Sequence, residues 1–334
     1  MRLSKASIWL IVFLLFIPVQ VNSKNIGFLT GSGGLGDESF NDATYKGMAK
    51  AVKEFNHKLI VREWEQEKDM DQLFLGLVNS NADQIVLNGD QFLPLTENYA
   101  DRFPTVKIIA NDFYGGNYPN VKSIIYGQHE GSFLAGALAG WFTRSGKVGF
   151  IGAIDIDVIQ AFLVGFNEGV AYASPNVDVA VEFISKLPDY SGFNDPSKAS
   201  RLAKKMYDNN VDVIFAVAGL SGNGVIRTAS IEKKYVIGVD RDQDHMAKGY
   251  VLTSVIKQLD HAVYQELAKV QKGGFTPGTI SYSLGNGGIR LSEMKYTKHI
   301  IPAFILENLQ KIKKDIISGT IKVTNFLEPE SGRD

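Results

Sequence analysis

Strand-length apolar runs alternate with helix-period segments along nearly the whole chain, and that alternation leaves few folds open. Residues 25–30 (Asn-Ile-Gly-Phe-Leu-Thr) read as a strand. A helix follows, with Phe40, Met48, Val52 and Phe55 among its apolar positions. Further strands are predicted at 59–62, 84–87, 106–110 and 123–126, with a helix over 71–79. The pattern then restarts. A helix rich in small residues spans 130–142, and strands follow at 147–151, 177–183, 213–217, 236–239 and 251–254. Helices at 158–173 and 196–209 separate the first of these strands, and two more close the chain at 260–272 and 302–318. Strands and helices in this order imply parallel sheets covered by helices on both faces. The expected fold class is therefore α/β, with two Rossmann-like lobes.

No low-complexity segment or long linker divides the 334 residues, so the lobes are expected to share several crossovers, the first near Gly127-Gln128. The first lobe is assigned to residues 24–127 plus about 258–276, and the second to 128–257 plus about 277–295. Residues 296–334 form a C-terminal helix and tail assigned to neither lobe. Residues 1–23 read as a cleaved secretory signal. Arg2 and Lys5 precede the apolar run Ile8 to Ile17, Pro18 breaks it, and Val21-Asn22-Ser23 offers a cleavage site. The run is too short for a bilayer span of about 20 residues. The formal net charge of −1 gives no electrostatic case for nucleic acid or an acidic membrane surface. The absence of cysteine removes disulfides, thiol nucleophiles, zinc-thiolate sites and lipidation through an N-terminal cysteine. A secreted protein without a cysteine-linked lipid anchor is expected.

In open parallel sheets a ligand sits outside the carboxyl ends of the strands. The residues there are 31–41, 88–91, 111–114, 152–157, Phe193, 219–224, 240–243 and Lys257. Both lobes contribute, which suits closure of a hinge on a small molecule. One motif within this set points elsewhere. Gly31-Ser32-Gly33-Gly34-Leu35-Gly36 matches G-x-G-x-x-G between a strand and a helix, the pattern that lays backbone amides against a pyrophosphate. Asp37 and Glu38 follow at once, placing negative charge where a pyrophosphate would lie. The acid expected about 20 residues on falls near Asn56 and His57, with Glu63 the nearest at the strand end. No cofactor is expected.

Other catalytic arrangements are weaker. His57, His129, His245, His261 and His299 are scattered without metal-ligand spacing, and no G-x-S-x-G elbow stands in a strand-turn-helix context. The acid pairs Asp155/Asp157 and Asp240/Asp242 leave a glycosidase open in principle. Asp240 ends an apolar strand, a position equally suited to binding hydroxyls. A secreted α/β enzyme is the lesser alternative, and no catalytic or metal-ligating residue is assigned.

Several strings at the strand ends resemble one family. They are Gly36-Asp37-Glu38-Ser39-Phe40-Asn41, Glu130-Gly131-Ser132-Phe133-Leu134-Ala135-Gly136, Gly146-Lys147-Val148-Gly149-Phe150-Ile151-Gly152 and Ser191-Gly192-Phe193-Asn194-Asp195. Ala218-Gly219-Leu220-Ser221-Gly222-Asn223-Gly224-Val225, Ile237-Gly238-Val239-Asp240-Arg241-Asp242-Gln243 and Leu252-Thr253-Ser254-Val255-Ile256-Lys257 complete the series. In this order they resemble the basic membrane protein family of bacterial purine-nucleoside receptors of ABC transporters, over essentially the whole chain after residue 24. The resemblance implies a type I periplasmic-binding-protein fold, a nucleoside ligand and an inner-membrane ABC permease as partner. Many members of the family are lipoproteins, and with no cysteine to carry a lipid this chain is expected to diffuse freely in the periplasm, as a monomer. The same fold feeding a sensor kinase is the alternative.

By the same resemblance, Phe40 and Phe193 look like the aromatic pair that sandwiches a base, with Asn41 bonding at the base side. Asp112, Asp240 and Lys257 would hold the ribose hydroxyls, and Gly219 would approach through its backbone. Ser32, Asp37 and Ser39 are secondary candidates, and for Asp37 the favoured reading is a cap of the first helix. The family usually carries an aspartate in the loop ahead of its Asp-x-Ser-Phe-Asn string. Here that loop reads Thr30-Gly31-Ser32-Gly33, with no acid. Weaker or altered base discrimination is the expectation.

Overall fold

The computed structural model describes residues 23–64 and 69–328. The expected signal segment falls, but for its last residue, outside the described residues.

Strands β1 (Asn25–Leu29), β2 (Lys58–Arg62), β3 (Ala82–Asn88), β4 (Lys107–Asn111) and β5 (Val121–Tyr126) alternate with helices α1 (Phe40–Glu54), α2 (Met70–Asn79) and α3 (Leu93–Tyr99). Helix α4 (Gln128–Phe142) opens the second half. Strands β6 (Lys147–Gly152), β7 (Asp178–Phe183), β8 (Val213–Val217), β9 (Tyr235–Asp240) and β10 (Val251–Lys257) follow, with α5 (Asp157–Ala173), α6 (Pro196–Asp208) and α7 (Gly222–Glu232) between them. The chain ends on α8 (Leu259–Gln271), β11 (Gly278–Tyr282), β12 (Ile289–Leu291) and α9 (Ala303–Ile317).

Two sheets result, ordered β11-β5-β4-β3-β1-β2 and β12-β10-β9-β8-β6-β7. Among the described residues the strand pairings are parallel except that of β12 with β10. This is an α/β protein of the type I periplasmic-binding fold. Buried residues on β3 show why the strands read as continuous apolar runs. Ile85 and Leu87 pack with Phe74, Leu77 and Leu95, on the side of α2 and α3. Val86 faces the cluster that holds Met48 of α1 and Val263 of α8. A strand covered on both faces has no solvated side to alternate with.

The chain passes between the sheets three times, at Gly127, at Gln258 and between Ser283 and Gly288. These passages lie side by side. Gly127 N donates to Tyr282 O at 2.8 Å, Gln258 N to Gly288 O at 2.9 Å, and Leu284 N to the Glu130 carboxylate at 2.7 Å.

The structure departs from the sequence reading in four places. β11 pairs with β5 in the first sheet, so residues 278–282 do not belong with the second lobe, where 277–295 was expected. β12 does join the second sheet. Helix α9, unassigned from sequence, packs on α4 of the second lobe. Helix α7, which the sequence reading did not include, begins at Gly222 among the strand-end residues 219–224. Gly224 is there for contact: a Cβ on it would stand 2.0 Å from Pro196 O of α6. α3 is short, with a proline in its first turn, and carried too little periodicity to be seen.

Candidate ligand-binding site

The carboxyl ends of both sheets face one another across a cavity holding about 620 Å³ of unfilled space, its open mouth included. Gly31, Ser32, Asp37, Phe40, Asp90 and Asp112 wall it from the first lobe. Phe162, Phe193, Gly219, Asp240 and Lys257 wall it from the second. Of the residues singled out from sequence, Ser32, Asp37, Phe40, Asp112, Phe193, Gly219, Asp240 and Lys257 thus line one space. Asn41 and Ser39 do not.

Lys257 ends β10 with its side chain only 1% exposed, and its Nζ donates to Asp112 Oδ2 at 2.5 Å. The ammonium also lies 5.0 Å from the ring centre of Phe162, 5.4 Å from Tyr126 and 5.7 Å from Phe40. A buried ammonium needs such compensation, because its desolvation cost is large. Asp112 follows β4 and Asp240 ends β9, and the two strands hold equivalent places in their sheets. Both aspartates adopt left-handed backbone, φ 71° and 68°. Aspartate tolerates that region better than most residues. Burial pushes both carboxyls up, against the pull of Lys257.

Beneath the first lobe's wall runs a buried amide network. Asn88 and Asn111 end β3 and β4 in register. Asn111 Nδ2 donates to Asn88 Oδ1 at 2.7 Å, and Asn88 Nδ2 to Asn41 Oδ1 at 2.9 Å. Asn41 Oδ1 also accepts from Gly31 N at 2.7 Å. The Asn41 carboxamide oxygen is therefore spent inside the protein, and the residue shapes the 31–32 turn rather than facing a base. Ser39 reaches across the cleft instead, donating to Asp240 Oδ2 at 2.6 Å. Asp37 accepts backbone N–H from Ser39, Asn41 and Asp42, so it caps α1 while touching the cavity.

The G-x-G-x-x-G loop spends its amides in the same way. Leu35 N donates to Glu63, and Gly36 and Glu38 N donate to Asp42. Protein carboxylates thus take up the amides of Leu35 and Gly36, two of the donors that a pyrophosphate would use. Among the described residues no group of three or more His, Asp or Glu is placed to hold a metal ion. No helix among them is long and apolar enough to cross a membrane.

Sequence reasoning missed Phe162, Val158 and Ile159, which α5 turns toward the cavity, and it did not single out Asp90. The helix residues carry no signal beyond ordinary apolar periodicity. Asp90 did: it stands just past the end of β3, in the position where ligand contacts gather.

Comparison with known proteins agrees with this architecture. Residues 24–325 match the Bmp family, described as ABC transporter substrate-binding protein, PnrA-like. A CD4+ T-cell-stimulating antigen of Listeria monocytogenes is 31% identical over 324 residues, covering 89% of this chain and 87% of that protein. An ABC transporter nucleoside-binding protein, BmpA, of Lactococcus lactis is 29% identical, over 88% and 87% of the two chains. A solute-binding protein of an ABC transporter system from Aeropyrum pernix superposes with a TM-score of 0.84 at 24% identity, covering 92% of this chain and 94% of its own. The chain belongs to the Bmp family of PnrA-like ABC transporter substrate-binding proteins.

Proposed function

We propose that the protein captures a nucleoside between its lobes and delivers it to an ABC permease. Membership of the family already gives a substrate-binding protein rather than an enzyme, with a small-molecule ligand and a permease as partner. The finer reading rests on one observation, the composition of the cavity wall. Phe40 and Phe193, from opposite lobes, offer aromatic faces. Base stacking on such faces contributes about 1–3 kcal/mol per base. Asp112, Asp240 and Lys257 line the same cavity, where carboxylates accept from a diol and the ammonium donates. A nucleoside is the small molecule that pairs a flat apolar plate with a vicinal diol. A nucleoside-binding protein among the relatives supports the same assignment.

The test is mass spectrometry of the small molecules released on denaturing the purified protein, followed by calorimetry with the compound found. A nucleoside returned unchanged is the expected result. Recovery and tight binding of a ligand that lacks either the base or the sugar overturns the reading. Turnover of the bound compound would replace it with an enzyme.

A further inference from the structure

The polar groups on the cavity wall differ in what they have left to offer a ligand. Asn88 is largely engaged: Oδ1 accepts from Asn111 and Thr44, and Nδ2 donates to Asn41. Gln91 Nε2 donates to Asn88 O at 3.1 Å. Ser32 Oγ donates to Tyr190 O at 3.1 Å, and Asp37 already accepts backbone amides. Asp112 is held by Lys257. Asp90 stands apart. Among the described residues no side chain donates to it and no cation pairs with it. Only its own amide and that of Gln91 lie toward its carboxylate.

Its position is as telling as its isolation. Along the carboxyl edge of the first sheet, β4 carries Asp112, β3 carries Asp90 and β1 carries Gly31 and Ser32. If the sugar lies at Asp112, Asp240 and Lys257, the base extends along the edge over β3 and β1. We infer that Asp90 is the residue that selects the base, by accepting a hydrogen bond from a ring N–H on the base's edge. Asp90 supplies from β3 the carboxylate that the 30–33 loop lacks. A carboxylate accepts and cannot donate when ionised. It therefore favours guanine and hypoxanthine, which present N1–H, over adenine, whose N1 is a lone pair. Guanine adds the neighbouring 2-amino group and can meet both carboxylate oxygens.

This selectivity rests on the nucleoside reading above, and the experiment separates the two. Calorimetry of the whole protein is run with guanosine, inosine, adenosine and 1-methylinosine. The expected order is guanosine, then inosine, with adenosine and 1-methylinosine at least about tenfold weaker, since a buried acceptor left unpaired costs that much or more. Asp90→Asn, whose amide donates as well as accepts, should narrow the gap between inosine and adenosine to within about threefold. 1-Methylinosine replaces the N1–H donor with a methyl group and needs no variant, so it reads out even if Asp90→Asn fails to fold. Equal binding of inosine and 1-methylinosine overturns the inference and leaves the nucleoside reading standing. Unchanged selectivity in a folded Asp90→Asn protein does the same. Failure of all four compounds to bind wild-type protein overturns both.

Discussion

Ser39 Oγ donates a 2.6 Å hydrogen bond to Asp240 Oδ2, joining the N-cap of α1 in one lobe to the end of β9 in the other. Asp240 is almost fully buried, and Oδ1 accepts no protein hydrogen bond among the described residues. One oxygen therefore bridges the lobes, and the other is left without a protein donor among the described residues. Asp240→Ala removes both and should weaken nucleoside binding by about tenfold to a few hundredfold, from the roughly 1–3 kcal/mol cost of unsatisfied buried groups. Ser39→Ala removes only the bond across the cleft and should cost about tenfold at most. Calorimetry on both variants checks this. Unchanged affinity in Asp240→Ala would take Asp240 out of the site.

Two cavity acids give the binding a pH dependence of defined sign. Burial first, then the negative charge of Asp112, with a smaller effect of Asp157, raises Asp90 to about 6. Burial also raises Asp37 to about 6, although the amides of Asn41, Ser39 and Asp42 pull it down. Carboxylates whose pKa is raised by folding favour the folded protein at low pH. That contribution is lost as pH rises from about 4 through about 6 and is level above. Ligand affinity should run the other way, because a base N–H needs Asp90 ionised. Guanosine binding should weaken by up to about tenfold per pH unit below about 6 and plateau above it. Asp90→Asn should flatten that limb. Calorimetry between about pH 5 and 8 decides, and affinity that rises on acidification would contradict the assignment.

The sequence carried the architecture because parallel strands covered on both faces are continuous apolar runs, and β1, β6 and β8 stand out as such. It carried most of the wall as well, since Asp112, Asp240 and Lys257 sit where strands end. Elements with weak periodicity were lost. β11 and β12 are short edge strands among glycines, and nothing local in 278–282 says that it pairs with β5, more than 150 residues earlier. Asn41 was misjudged for a related reason. Its partners Asn88 and Asn111 come into register only when β3 pairs with β4. A side chain's choice between ligand and network is made by that lateral pairing, which spacing along the chain does not encode.

Helix α7 offers a test of packing in which neighbouring positions act as each other's control. A Cβ on Gly224 would stand 2.0 Å from Pro196 O, backbone that gives only if α6 moves. A Cβ on Gly222 meets nothing within 4 Å. Gly224→Ala should destabilise by about 1–3 kcal/mol, the usual cost of overpacking. Gly222→Ala should be neutral or slightly stabilising, from alanine's higher helix propensity. Thermal melts of the two variants check this, and equal melting temperatures would mean that α6 and α7 are not so closely packed.

The rim of the cleft holds an ion pair that should act on release. Arg241 Nη1 lies 3.0 Å from Glu38 Oε2 across the lobes, and Gln243 Nε2 donates to Glu38 O at 3.0 Å. Both charged side chains are more than a third exposed, so the pair is screened and contributes about 1 kcal/mol at most. Arg241→Ala should raise the dissociation rate by less than about tenfold and leave association nearly unchanged. The difference from wild type should shrink in high salt. Stopped-flow measurements at low and high ionic strength read this directly, and a salt-independent effect would point to lost packing instead.

The loop acid missing before Asp37 invites a repair that the geometry argues against. Gly31 and Ser32 are the two positions of that loop where an aspartate would be tried, and the space at Gly31 is tight. A Cβ there would lie 2.9 Å from Asn88 O, 3.2 Å from Asn41 Oδ1 and 3.5 Å from Gln91 Nε2. The first of these is backbone at the end of β3, held by the Asn88–Asn111 amide pair. A carboxylate at 31 would also face the acceptor oxygens of Asn41 and Asn88 and add charge near Asp90. Gly31→Asp should therefore weaken every nucleoside by a similar factor rather than sharpen the choice of base. Ser32→Asp loses the bond to Tyr190 O but does not crowd β3, so it should be tolerated better. Calorimetry with guanosine, inosine and adenosine on both variants distinguishes these outcomes. If Gly31→Asp instead tightens one purine by tenfold while the others are unchanged, the space beside Gly31 is a base-reading position, and Asp90 is not the group that fills that role.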